Sequence, residues 1–286
     1  MRAMSVIDLD YLRTWIGTSR TDEDLIAARH ARLMAATVDC LDADTIRDGQ
    51  PLPPLWHWIY FLEGIPSREL GLDGHPARGG FMPPVSLSNR MWAGGRVSFL
   101  APVQIGSTVR KTSTILEVDH KRGSSGDLVF VTVLHELTSL QGDLLIREEQ
   151  DIVYKNTTPP GKISSGAPPI PSAQFMKAFT PDSTMLFRYS ALTFNGHRIH
   201  YDVDYCRETE GYKNLVIHGP LNATMLAAYA EEISGRRVCD FSYRGVSPAF
   251  VGDPIMLHAN VLGDNVTLNS VLGTGAVCMQ AEARIA

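Results

Sequence analysis

A two-residue period runs through the end of the chain. Val277, Met279, Ala281, Ala283 and Ile285 alternate with their neighbours, as do Ile255, Leu257, Ala259 and Val261. That is the period of a strand with one buried face. Gly263-Asp264-Asn265 supplies a turn after the second set. Upstream the period lengthens. Leu221, Met225, Leu226, Tyr229 and Ile233 fall on one face of a helix. Gly219-Pro220 opens it, with proline suited to a first turn, and Ser234-Gly235 closes it. Phe187–Phe194 reads as a strand before that helix, and three strands are expected after it. One apolar helix followed by antiparallel strands predicts a sheet wrapped around the helix.

The first half is patterned less clearly. Asp22–Val38 reads as helical, and the type of Leu55–Leu62 is not settled by its period. From Arg96 onward the chain reads as strands. Leu128–Leu134 is a continuous β-branched and aromatic run, expected to be a buried strand after the turn Gly123–Gly126. Asn156–Gln174, NTTPPGKISSGAPPIPSAQ, has no apolar period and is rich in Pro, Gly and Ser. It is the expected linker between modules 1–155 and 175–286. A faint internal repeat supports two modules: Pro102-Val103-Gln104-Ile105-Gly106 is echoed by Pro248-Ala249-Phe250-Val251-Gly252.

Composition narrows the class. The 286 residues suit two domains, and 44% hydrophobic content supplies a core. A net charge of -5 gives no global field favouring nucleic acid. Cys40, Cys206, Cys239 and Cys278 are scattered and form no C-x-x-C pair, which fits reduced thiols. No apolar run approaches the ~20 residues of a membrane span. The first ten residues are acidic, without a signal-peptide core. A cytoplasmic protein is expected.

The chemistry concentrates between Phe187 and Pro220. Asn195, His197 and His200 lie within six residues. His200 is the favoured acid/base group, because imidazole titrates near neutrality and its neighbours are polar. His197 either shares that work or shapes the turn. Asn195 has no useful pKa, but it can orient a water or donate to an oxyanion. Gly219 stands at a helix start, where free N–H groups carry partial positive charge. A glycine there would let a ligand approach. Arg244 and Arg90 are candidates for anion recognition. Trp92-Ala93-Gly94-Gly95 reads as a tight turn. His30, His75, His120 and His258 show no metal-ligand spacing and receive no role.

Ser190-Ala191-Leu192-Thr193-Phe194-Asn195-Gly196-His197-Arg198-Ile199-His200-Tyr201-Asp202 resembles the signature of MaoC-like (R)-specific enoyl-CoA hydratases. Other stretches resemble the two-module branch that contains mesaconyl-C4-CoA hydratases, itaconyl-CoA hydratases and type 2 3-hydroxyacyl-thioester dehydratases. These are LPPLWHWIYFLEG, DGHPARGGFMPP, RMWAGG, GDLVFVTVLHE, EEQDIVYK and LVIHGPL.

The resemblance implies an α+β double hotdog fold, two long helices each wrapped by a curved antiparallel sheet. It implies a hydro-lyase that adds water reversibly across an α,β-unsaturated thioester. One active site is expected, in the C-terminal module, with the N-terminal module shaping the acyl cleft. His200 matches the catalytic histidine, Asn195 stands where the superfamily has an aspartate, and Gly219 matches the residue whose N–H holds the thioester oxygen. In VSLSNRMWAGG, Asn89 replaces an expected arginine.

The expected substrate is a short branched dicarboxylic enoyl-CoA of the mesaconyl or itaconyl type, with Arg244 pairing the free carboxylate. Arg90, Tyr243, Trp92 and Arg198 are the other expected substrate contacts, and Arg198 or Lys213 could reach CoA phosphates. The alternatives are a 3-hydroxyacyl-thioester dehydratase acting on longer chains and a non-catalytic acyl-thioester-binding protein. No metal and no cofactor beyond the CoA of the substrate is expected, nor a nucleic-acid or membrane partner. A homodimer is expected.

Overall fold

The computed structural model describes residues 7–39, 41–123, 126–156 and 172–286. Cys40, the tip of the Gly123–Gly126 turn and most of the expected linker lie outside the described residues. The first half supplies β1 (Ser19–Leu25), β2 (Asn89–Phe99), β3 (Thr108–Gly123), β4 (Gly126–Ser139) and β5 (Leu144–Lys155). The second half supplies β6 (Phe175–Phe179), β7 (Val238–Gly245), β8 (Ile255–Leu262), β9 (Asn265–Leu272) and β10 (Val277–Ile285). All ten join in one sheet, ordered β1-β3-β4-β5-β2-β7-β10-β9-β8-β6.

Each half therefore runs outer edge to centre as first, third, fourth, fifth and second strand. The echoed pentapeptides occupy matching corners of the two halves. Their third residues, Gln104 and Phe250, form isolated bridges to Pro51 and Val216. Their closing glycines, Gly106 and Gly252, have φ of 90° and 88°.

β2 and β7 pair at the centre, Gly94 opposite Arg244 and Gly95 opposite Tyr243. A Cβ on Gly94 would lie 2.5 Å from the Tyr243 carbonyl oxygen, and one on Gly95 would lie 2.6 Å from that of Glu149. The Trp92–Gly95 stretch is thus strand, bulged between Trp92 and Gly94, and not the turn its glycines suggested. The glycines let the two halves approach closely.

The helices are α1 (Leu9–Arg13), α2 (Ala28–Val38), α3 (Ser183–Leu192), the single turn α4 (Val203–Tyr205) and α5 (Gly219–Ser234). α5 packs against β7–β10 and is buried nearly all round. Ala223, Ala227 and Ala230 are fully covered. Gly235, at φ 63°, returns its N–H to Glu231 and ends the helix.

Among its described residues the first half has no helix of that length. α2 has 11 residues and packs on α3. Leu55–Leu62 forms a 3-10 turn, Trp56–Ile59, flanked by left-handed Leu55 (φ 67°) and Phe61 (φ 57°). Part of the inner face of β4 and β5, at His135, Glu148 and Gln150, lines a cleft, while Val129, Val131 and Tyr154 pack in a second core. Among the described residues, no helix is long and apolar enough to cross a membrane.

Three expectations are corrected. Phe187–Phe194 is not strand: Phe187–Leu192 is helix, and Thr193 and Phe194 turn the chain. Asp182 caps α3 by accepting from the Met185 N–H at 2.8 Å, and Leu186, Tyr189 and Leu192 are buried at a spacing of three. Its aromatic residues mimicked strand composition. Asp22–Leu25 belongs to β1, paired with β3, so the helix begins only at Ala28. Four strands follow α5, not three. β7 escaped notice because a bulge opposite Arg284/Ile285 shifts Val238 out of alternation with Phe241 and Tyr243.

Candidate active site

After α3 the chain reverses through left-handed Phe194, φ 49°. The Asn195 N–H bonds Ser190 O at 2.8 Å, and its Oδ1 accepts from the His197 N–H at 3.0 Å. A backbone N–H can only donate, so the atom it meets is the amide oxygen. The Asn195 NH2 is what remains for a ligand.

A 3-10 turn, Arg198–His200, then carries His200. Its Nδ1 lies 2.7 Å from Val216 O. A carbonyl only accepts, so Nδ1 holds the proton and Nε2 the lone pair. Burial pushes this imidazole down to about 4, against the Val216 hydrogen bond, with the charge of His75 adding to the depression. His200 is a neutral base at neutral pH.

His218, the N-cap of α5, stacks on His200 with ring centroids 3.6 Å apart. Its Nε2 lies 2.8 Å from Ser190 Oγ, and its buried Nδ1 has no partner among the described residues. Burial, then the charges of His200 and His197, hold it well below the ordinary histidine range. Gly219 follows, and its N–H is one of the helix's unpaired donors beside the cleft. The glycine is required by packing: a Cβ would lie 2.6 Å from the Trp92 ring.

A loop of the first half docks on this turn. Arg198 N donates to Asp73 O at 2.9 Å, and Gly74 meets Gly196 backbone to backbone. Asp73 accepts from the His75 N–H at 3.0 Å and from His75 Nδ1 at 3.2 Å. The His75 ring then lies 4.1 Å from His197, centroid to centroid. Burial alone would raise the Asp73 carboxyl, but the His75 hydrogen bonds and the nearby charges of His75 and Arg90 hold it below the usual range. Burial pushes His197 down to about 2, and the charge of His75 adds to it. Asp73, His75 and His197 each offer one ligand atom, all within 4.8 Å of one another. That grouping was invisible in the spacing of the sequence, which gave His75 no role.

The expected substrate contacts separate. Arg244 does not line the cleft: it projects from the sheet and donates to Gln280 at 2.8 Å. Tyr243 does not line it either. Its ring is buried, stacked on Trp92 at 4.4 Å, because strand alternation turns it inward. Trp92, Arg90 and Arg198 do line it. Arg198 is held at the rim by Asp202 (2.8 Å) and Leu72 O (3.1 Å). Lys213 pairs with Asp253 at 2.6 Å and does not line the cleft.

A second polar group lies deeper, on the first half. Buried Glu148 accepts from His57 Nε2 at 2.8 Å and Trp58 Nε1 at 2.9 Å. His135 stands opposite Glu148 across β4–β5, and Lys111 lies on adjacent β3. All line the cleft. The sequence carried a signal for Glu148: it shares the inward register of Ile146, Ile152 and Tyr154, where a charge is out of place.

The cleft is a single space of about 2410 Å³, well beyond a drug-sized pocket of roughly 300–1,000 Å³. It reaches from the rim at Arg198 past Asn195, His200 and Gly219 to Glu148 and Lys111.

Residues 55–251 match the family model for hydroxyacyl-thioester dehydratase type 2. A mesaconyl-C(4)-CoA hydratase of Chloroflexus aurantiacus is 42% identical over 270 residues, 93% of this chain and 95% of that one. A MaoC-like dehydratase from Phytophthora capsici superposes with a TM-score of 0.72 over 98% of both chains, at 15% identity. A Mycobacterium tuberculosis protein described as a double hotdog fold superposes at 0.58 over 96% of this chain and 98% of its own, at 12% identity. The repeated strand order and the helix held by β7–β10 are that double hotdog. The chain belongs to the hydroxyacyl-thioester dehydratase type 2 family and is a hydro-lyase.

Proposed function

We propose that the chain adds water reversibly to a short branched dicarboxylic enoyl-CoA of the mesaconyl-C4-CoA type. One observation carries the chemistry: His200 is locked through Nδ1 on Val216 O, which leaves its Nε2 lone pair as a base in the cleft that Gly219 also lines. The thioester oxygen accepts from the Gly219 N–H at the positive end of α5. Asn195 NH2 donates to the attacking water and holds it against His200. His200 Nε2 takes one proton from that water as its oxygen bonds to Cβ. The π electrons move to the thioester as an enolate, which the helix end stabilises. The imidazolium then returns its proton to Cα, so no proton is gained or lost.

The nearest support for the acyl group is the 42% identity to a mesaconyl-C(4)-CoA hydratase. Itaconyl-CoA is the second substrate to try. Cofactor-free turnover, a cytoplasmic location and a homodimer complete the proposal. The dimer reading rests on β1 and β6, the edge strands of the sheet among the described residues. The test is loss of enoyl-thioester absorbance with mesaconyl-C4-CoA, itaconyl-CoA and crotonyl-CoA. Absence of turnover on all three would leave only acyl-thioester binding. Near-full activity of His200→Ala would remove His200 from the mechanism.

A further inference from the structure

The mechanism places no ligand on Asp73, His75 or His197, yet the three converge beside its base. We propose that they form a site for a borderline divalent transition metal of the Zn2+ class, and that the bound ion inhibits the chain. Metal binding stands apart from the hydratase reading, and only the inhibition rests on it.

The donor set carries the inference first. Each residue offers one ligand atom, and these atoms all lie within 4.8 Å of one another. Among the described residues no other group of three His, Cys, Asp or Glu does so. Two imidazoles and a carboxylate, with a fourth position left open, are the ligands of an open zinc site. Nitrogen donors select against Mg2+ and Ca2+, which take oxygen.

The donors are aimed before any ion arrives. Asp73 Oδ1 accepts from the His75 backbone N–H at 3.0 Å, which fixes the carboxylate and turns Oδ2 to the His75 ring. Oδ2 and Nδ1 are 3.2 Å apart. That is close to the edge, roughly 3.3 Å, of a tetrahedron with metal bonds of about 2.0–2.1 Å. An ion between them takes the place of the Nδ1 proton, which leaves to solvent. The His197 ring packs on that of His75, 4.1 Å between centroids, and brings the third donor. The two segments are tied through backbone, since Arg198 N donates to Asp73 O at 2.9 Å and Gly74 lies against Gly196. All three residues line the cleft, where water completes the fourth position.

Inhibition follows from the place. His197 meets His200 edge to face, 5.5 Å between centroids. An ion on His197 opposes the positive charge that His200 gains as it takes a proton. One charge works against the ion in turn. Arg90 lines the same cleft, and its charge bears on Asp73, His75 and His197. It repels a divalent cation and holds the affinity down, so its removal tightens the site.

Calorimetry with Zn2+ and with Mg2+ compares wild type, Asp73→Asn, His75→Gln, His197→Gln and Arg90→Gln, all checked for folding by metal-free melting. Co2+ absorption reads the coordination, and turnover on mesaconyl-C4-CoA reads inhibition. Wild type is expected to bind one Zn2+ in preference to Mg2+ and to show the intense visible bands of four-coordinate Co2+. Each ligand variant is expected to weaken Zn2+ by about 10-fold or more, and His75→Gln to lose the Co2+ bands and most of the inhibition. Arg90→Gln is expected to bind Zn2+ several-fold more tightly, a gain that no misfolding imitates. Zn2+ affinity unchanged in the three ligand variants, or weakened in Arg90→Gln, would overturn the site and leave an adventitious ion only. Zn2+ held by the three residues with turnover unaffected would keep the site and overturn the inhibition. Zn2+ held there by a chain that turns over no enoyl-CoA would sink the hydratase reading and keep the site.

Discussion

The rings of His200 and His218 lie face to face, 3.6 Å apart and 18° from parallel. Both are buried, and a charge on one opposes a charge on the other. The stack therefore fixes the plane of His200, while burial keeps His200 neutral and the charge of His200 adds to the burial that keeps His218 neutral. His218 positions the base. It reaches Ser190 on α3 through Nε2, so it ties the base to the helix that precedes the turn.

Removing the base should cost rate with little change in substrate affinity. His200→Gln is expected to lower kcat by about 10²–10⁴-fold, the range for a positioned acid/base group. Steady-state kinetics on an enoyl-CoA checks this. A kcat within a few-fold of wild type would exclude His200 as the proton carrier.

Stability should fall on acidification. The folded-state pKa of His200 is depressed to about 4 from an ordinary 6.5. The unfolded chain then binds the extra proton between those values, so stability is full above about 6.5 and drains as pH falls toward 4. The depression corresponds to on the order of 3 kcal/mol for this group. Half-buried His135, also pushed down to about 4 by desolvation, adds in the same direction. Urea unfolding at pH 7 and pH 5 is expected to show a lower midpoint at pH 5. An equal or higher midpoint would contradict the burial of these neutral rings.

Gly219→Ala should injure packing and catalysis together. The added methyl would lie 2.6 Å from the Trp92 ring, and overpacking of this kind costs about 1–3 kcal/mol. Thermal melting should show the loss, with kcat reduced as the α5 N-terminus shifts. The double variant with Trp92→Ala tests the cause: it should recover part of the overpacking cost.

Arg244→Ala should leave turnover unchanged. Arg244 lies on the outer side of the central strand pair, where it donates to Gln280. Gly95→Ala, directly opposite neighbouring Tyr243, should destabilise by more than Arg244→Ala. Its methyl would press on Tyr243 Oη and on Glu149 O. Activity and melting temperature of the two variants separate a surface arginine from a structural seam.

Asp73→Ala and His75→Gln should each lower kcat although neither residue lies in the second half. Asp73 holds His75, and His75 packs at 4.1 Å on His197. A loss of about 10-fold is expected from disordering such a support. The same trio could take a cation, but the charge of Arg90 bears on both Asp73 and His75. Turnover is expected to survive exhaustive chelation and to fall when Zn2+ is added. Loss of activity on chelation would point to a resident metal.

The local sequence by itself determined α5, the alternating strands β8 and β10, and the turn that carries Asn195 and His200. Each is set by nearest-neighbour periodicity, a capping glycine or a short turn, all readable within a few residues. The pentapeptide echo likewise marked two matching corners. Composition misled at α3, where aromatic residues outweighed the three-residue burial spacing, and at β7, where a bulge broke the alternation. Only the tertiary structure decided which distant groups share the cleft. Pairing β2 with β7 turned Arg244 outward and Tyr243 inward. Docking the Leu72–Gly74 backbone on Gly196 and Arg198 brought Asp73 and His75 to His197 from 122 positions away in the chain for His75. The short Trp56–Ile59 turn, where the second half has a long helix, set His57 and Trp58 on Glu148 at the wall of the cleft. Such contacts join residues far apart in the chain and carry no local period, so no reading of the sequence alone could place them.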